Sequence, residues 1–238
     1  MLGRRVQVAG SASPKVASPV IANAHAVVRA FVRRVLRTGG CLVVQVGGEP
    51  RSADEGLPLI FEWSVLEEAL ACLQDGTTRA IHRGRPLIFA VASERSESQI
   101  PADREAIWEA LLNARAVHLE RTRPGWHSSS GLRAIQAREG SVLVTLGGGA
   151  GVENLTQRYV ARRRAVIPLD FPLEGFFGDG TIRGEGLARL ALADAVNVRE
   201  PAPIPADLIA AAAAIEDEDL RRAFLGAATS CIRRVEQQ

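Results

Sequence analysis

At 238 residues, 47% of them hydrophobic, the chain is long enough for one large α/β domain and a small appendage. Its net charge of +2 argues against a nucleic-acid partner, and no apolar run approaches the ~20 residues that cross a bilayer. Cys41, Cys72 and Cys231 are far apart and lack metal-ligand spacing, and the N-terminus has no signal-peptide core; both predict a cytoplasmic protein with reduced thiols, no metal and no cofactor.

Arg4 to Gly10 reads as a first strand that runs into Gly10-Ser11-Ala12-Ser13-Pro14, a small hydroxylated turn suited to a phosphate. There is no GxGxxG dinucleotide fingerprint. A helix opens near Pro19, carries Ile21, Ala24, Val27, Val28, Phe31, Val32, Val35 and Leu36 on one stripe, and stops at Gly39-Gly40. Arg29, Arg33, Arg34 and Arg37 are expected on its solvated face, and His25 as a partly exposed helix residue rather than a ligand.

Cys41 to Val46 is a second strand closed by Gly47-Gly48, with Glu49 opening a polar loop on the rim of the same cleft. Leu59 to Ser64 leads into a helix in which Trp63 is read as core or interface. Arg85 to Ala92 is a third strand, Glu94 to Ile100 a charged loop, and Pro101 opens a helix bearing Trp108 and Leu111. Ala116 to Glu120 is a short strand. The loop from Arg121 to Ser130 has the composition of a phosphate and base contact, and equally that of a surface loop.

A short helix from Gly131 to Arg138 precedes the stretch around which the chain is organised, Ser141 to Gln157. Val142 to Leu146 is a buried-strand pattern, Gly147, Gly148, Gly149 and Gly151 form the turn, a helix opens at Val152, and Glu153 sits in its first turn. A bulky residue at Gly148 or Gly149 is therefore expected to block a ligand with little harm to the fold. Ala165 to Leu169 is the last strand; a loop from Phe171 to Gly180, a helix from Gly184 to Ala195 and a proline-rich connection from Arg199 to Pro205 follow. The helical tail from Pro205 has an apolar stripe (Leu208, Ile209, Ile215, Phe224) that predicts a homo-oligomer, joined through the tail or through the helix near Trp63.

Six strands alternating with helices predict an open, mostly parallel Rossmann-like sheet covered by helices on both faces. We place the ligand-binding domain at residues 1–200 and a C-terminal helical extension at 201–238. Ligands of such sheets bind beyond the carboxyl strand ends, where three glycine-bearing turns fall here. The candidate ligand-binding residues are Gly10, Ser11, Ser13, Gly47, Gly48, Glu49, Gly147, Gly148, Gly149, Gly151 and Glu153.

The three turns together, Gly10-Ser11, Gly47-Gly48 and Gly147-Gly148-Gly149-Ala150-Gly151-Val152-Glu153, resemble the SLOG superfamily. That group joins the Lonely Guy phosphoribohydrolases, the DprA/Smf proteins and sensor domains that accompany TIR or sirtuin-like proteins in bacterial defence. Against the Lonely Guy motif Pro-Gly-Gly-x-Gly-Thr-x-x-Glu, Gly147 replaces the proline, Gly148, Gly149 and Gly151 match, and Val152 replaces the threonine. Position 155 is Leu, and Glu153 supplies a carboxylate two residues early. The resemblance implies a sensor for an adenine-nucleotide-derived signal, ADP-ribose or its cyclic form, in a defence oligomer with a TIR or other effector partner. The alternative it implies is a phosphoribohydrolase that cleaves the N-glycosidic bond of a nucleoside monophosphate, with Glu153 as its catalytic carboxylate. A third reading keeps the glycines as tight turns of a scaffold.

Overall fold

The computed structural model describes residues 4–123, 129–169 and 173. At its centre lies β1 (Arg5–Ser11), paired in parallel with β2 (Cys41–Gln45) on one side and β5 (Val142–Gly147) on the other. With β3 (Ile88–Ala92), β4 (Val117–Arg121) and β6 (Ala165–Leu169), the order is β4-β3-β2-β1-β5-β6, every neighbouring pair parallel. The chain builds outward from β1 to β4, then returns to the far side of β1. The point where strand order reverses is therefore between β1 and β5.

Alternation along β1 divides the core. Val6 and Val8 face α1 (Ser18–Arg37), α2 (Glu62–Gln74) and α5 (Ala102–Asn113), in a layer that includes Phe31, Leu66, Trp108 and Leu111. Ala9, one residue on, packs with Leu155 and Tyr159 of α7 (Ala150–Ala161) and Ala137 of α6 (Ser129–Glu139). Leu132 of α6 covers Val43, Phe89 and Val91. Both faces are thus covered, and the six strand positions agree with the apolar runs in the sequence. Two short helices, α3 (Gly76–His82) and α4 (Glu94–Glu97), complete the described elements. The charged loop expected at Glu94 begins instead as one helical turn, because Ser93 and Ser96 form a reciprocal capping box.

α1 carries Pro in its first turn and the anticipated apolar stripe. Its arginines are not simply solvated: Arg29 pairs with Glu67, Arg33 with Glu68 and Arg37 with Asp75, lacing α1 to α2. His25 is a correction. It is 5% exposed, with Nδ1 2.7 Å from Ser64 Oγ and Nε2 2.8 Å from the Pro58 carbonyl, and burial depresses its pKa. One helical turn seen alone does not reveal that α2 and the Pro58 loop close over this face.

Trp63 is 1% exposed and belongs to the chain's own core. No helix among the described residues is long and apolar enough to cross a membrane. The Trp126-His127 part of the loop after β4, the phenylalanine-rich loop after Asp170, Cys231, the linker and the helical tail lie outside the described residues.

Candidate functional site

The carboxyl ends of β1, β2 and β5 open onto a cavity of about 630 Å³, a size that suits a nucleotide. Gly10, Ser11, Gly47, Gly48, Glu49, Gly149 and Gly151 line it. The strand-end turns thus converge, as a parallel sheet requires when all its strands end on one rim.

Other glycines of the organising stretch serve the chain itself. A Cβ on Gly147, at φ +54°, would lie 2.7 Å from the Ser11 carbonyl oxygen. One on Gly148, at φ +95°, would lie 2.4 Å from Val152 Cγ2. The expectation that Gly148 could be enlarged at little cost to the fold is therefore corrected: the turn needs glycine there for backbone conformation and packing. Gly10 is tighter still, its Cβ position only 2.0 Å from the Leu146 carbonyl oxygen, so β1 and β5 meet at the switch point without room for a methyl group.

Ser13 is buried below the rim, its amide donating to the Leu173 carbonyl and its Oγ accepting from the Lys15 amide. Glu153 stands in the first turn of α7, between the lining residues Val152 and Leu155 but not itself among them, and accepts from Gln157 Nε2 at 3.4 Å. Glu49 has a side chain closed to solvent and clamped from behind. Arg104 reaches both its oxygens at 3.1 and 3.0 Å, and Arg51 reaches Oε2 at 3.0 and 2.7 Å. Arg51 in turn pairs with Asp103, and Arg104 with Glu67.

Polar groups on the walls include Arg133 and Gln136 from α6, Gln7 from β1, and Glu62 at the start of α2. Tyr159 donates to Gln7 Oε1 at 2.8 Å, fixing that amide below the cleft floor. Arg133 approaches the start of α7, its NH2 lying 2.8 Å from where a Gly151 Cβ would be. Burial and then the neighbouring Arg158 lower its pKa, and no carboxylate among the described residues pairs with it. The Val152 and Glu153 amides donate to the Gly149 carbonyl at 2.9 and 3.1 Å, whereas those of Ala150 and Gly151 have no intrahelical acceptor, so cation and helix start together are an arrangement suited to an anion.

Glu62 is half-buried as a residue, yet its Oε2 is sealed from solvent without a hydrogen-bond partner. Burial pushes its pKa up to about 7, against the lowering effect of the Glu62 and Phe61 amides, and Glu49 adds a smaller push upward. Neither Arg133 nor Glu62 belongs to a glycine motif. The available signal was position: Glu62 opens the helix that follows a glycine-ended strand, and Arg133 lies on the helix that precedes the glycine turn. Among the described residues no group of three His, Cys, Asp or Glu side chains is placed to hold a metal ion.

Fold and cleft define a doubly wound, Rossmann-like protein with its cavity at the β1/β5 switch point. The chain belongs to the family described as ATP nucleosidase Cap17-like, N-terminal, whose model matches residues 1–199. It is similar to the ATP nucleosidase Cap17 of Escherichia coli strain KTE188 and to that of Escherichia coli, each 24% identical over 175 residues. Those residues are 74% of this chain and 34% of each relative, so the match spans about a third of the length of the curated relatives. No solved structure matches the chain.

Proposed function

We propose that this chain binds an adenine nucleotide in the β1/β5 cleft and cleaves its N-glycosidic bond, releasing the base from ATP. The observation that carries the proposal is Arg133, a partly buried cation with no carboxylate partner among the described residues, beside the amides that open α7. A phosphate chain there would gain charge-assisted hydrogen bonds from both. The sugar and base would then extend over Gly10, Gly47 and Gly48 towards Glu49 and Glu62. Membership of a family that describes the N-terminal part of proteins named ATP nucleosidases supports an adenine nucleotide as the ligand and, for the whole protein, the reaction class. The phosphoribohydrolase alternative is kept in its chemistry, with a triphosphate in place of a monophosphate as the substrate.

The sensor reading keeps one specific support: Glu153 is out of register with the Lonely Guy motif glutamate and outside the cavity lining. On that reading the cleft holds ADP-ribose or its cyclic form and signals within a defence assembly of several copies, without turnover. One experiment separates the two. The chain is incubated with ATP, AMP, NAD or ADP-ribose, free adenine is followed by chromatography, and binding is followed by calorimetry. Adenine from ATP supports the nucleosidase. Binding of ADP-ribose without adenine from any substrate supports the sensor, and no binding at all removes both.

A further inference from the structure

We propose that Glu62 takes a hydrogen bond from the exocyclic amine of the bound base, so that the cleft selects a nucleotide with an N–H donor at that edge. The proposal rests on the nucleotide-binding half of the reading above and needs no bond cleavage in this domain. Its starting point is Glu62 Oε2, sealed from solvent without a hydrogen-bond partner, on a residue that lines the cavity. The N-cap of α2, Phe61, has no side-chain cap, and the amides of Phe61 and Glu62 face the carboxyl instead. They satisfy part of the group and leave Oε2 without the donor that a buried oxygen requires. A small turn about the soft carboxyl torsion presents that oxygen to the cavity.

The cavity has two unlike ends. Arg133 of α6 and the opening of α7 lie on one face of the sheet, and α2 with Glu62 on the other. Glu49, the other carboxylate on the lining, is already held by Arg104 and Arg51. Asp103 and Glu67 engage the far sides of those arginines, and on α1 Arg29 and Arg33 reach Glu67 and Glu68. A bare acceptor thus stands across the cleft from a cation. A ligand that fits both ends carries an anion and an N–H donor, which is the chemistry of an amino-substituted nucleotide.

A protonated Glu62 would instead give its hydrogen to a ring nitrogen of the base. The two amides on the carboxyl oppose that arrangement, because amide donors stabilise the anion rather than the neutral acid. An ionised carboxylate also makes the stronger, charge-assisted bond to an amine. In the empty cleft, burial pushes the Glu62 pKa up to about 7, and Glu49 adds a smaller push. An amine seated against Oε2 supplies the missing donor. The carboxyl then loses its proton to solvent, and no covalent bond of the ligand changes.

The test uses the full chain and two probes, ATP and the triphosphate of purine riboside, which lacks only the 6-amino group. Calorimetry in buffers of different ionisation enthalpy gives affinity and proton exchange, and free base is followed so that any cleavage is subtracted. The phosphates of both probes ionise alike, so their own titration cancels in the comparison. Near pH 7, ATP is expected to release a proton that the amine-free probe does not. Its affinity relative to that probe should rise about tenfold between about pH 6 and pH 8. Glu62→Gln keeps an acceptor but cannot titrate, and should lose the proton release and the pH dependence. Glu62→Met removes the acceptor and should lose the preference for ATP. Proton uptake with ATP, equal affinity and linkage for both probes, or linkage that persists in Glu62→Gln overturns the inference and leaves nucleotide binding standing. A parent that binds neither probe removes the nucleotide reading and the inference with it. If neither variant folds, the two probes on the parent decide, identical affinity and linkage being the overturning result.

Discussion

The Trp63 indole N–H donates to the Gly47 backbone carbonyl across 3.1 Å, tying the first turn of α2 to the turn that ends β2. Trp63 follows Glu62 directly, so this one bond sets the distance between a cleft carboxyl and a glycine of the rim. Trp63→Phe would keep most of the buried ring while losing the donor and some volume. It should cost about 2 kcal/mol in stability, from the lost bond and the cavity. Affinity for ATP should fall further than that stability loss alone explains, when both are measured well below the melting temperature. Unchanged affinity would mean that Glu62 is held by its own helix.

Arg133→Met tests the anion seat. A half-buried cation whose charge neighbour is another arginine contributes little to the fold, so the melting temperature should hold or rise slightly. ATP affinity should fall by about 1.5–3 kcal/mol, the range for a hydrogen bond to a charged group. Adenosine, which has no phosphate, should bind parent and variant alike. Equal loss for ATP and adenosine would place Arg133 away from the phosphates.

Glycines on the rim should separate by what their missing side chains would meet. Gly10→Ala places a methyl group into the Leu146 carbonyl and should cost roughly 3 kcal/mol or more, seen as a lower denaturation midpoint. Gly149→Val, at the N-cap of α7 with extended backbone, should lower the unfolding free energy by no more than about 1 kcal/mol, since valine caps a helix less well than glycine, and remove nucleotide binding. Glu153→Gln, at a position outside the lining, should change affinity by less than about 0.5 kcal/mol. A tenfold loss there would bring Glu153 back to the ligand.

The Glu62 carboxyl also links stability to pH. Its folded pKa of about 7 lies above the ordinary value of 4.5, so the folded state holds the proton more tightly than the unfolded chain. Its contribution is fully present below about pH 4.5 and is lost as pH rises through about 7. Allowing for its half-buried position, the loss should be of order 2 kcal/mol. The difference in unfolding free energy between parent and Glu62→Gln, measured from pH 4 to pH 8.5, isolates it. The variant should gain relative to the parent across that interval, and a constant difference would show that Glu62 is already ionised at pH 5.

Strands and turns were legible in the sequence because they depend on local chemistry. A β-branched run such as Val142 to Leu146 has few alternatives to a covered strand, and Gly10, Gly47 and Gly149 mark where such strands end on one edge of a parallel sheet. Strand order, by contrast, follows from long-range pairing, and only the fold sets β1 between β2 and β5. The same limit applies to individual side chains. Gly148 reads like a ligand glycine until Val152 is seen beneath it, and His25 reads as a surface residue until Ser64 and Pro58 close around it. Glu62 and Arg133 carry no motif, being 71 residues apart in the chain and brought to one cavity by the packing of α2 and α6 on opposite faces of the sheet. The backbone's path is written in short stretches of residue type, while a proton affinity or an unpaired charge depends on which distant groups remove water from it. Only the tertiary structure makes that choice.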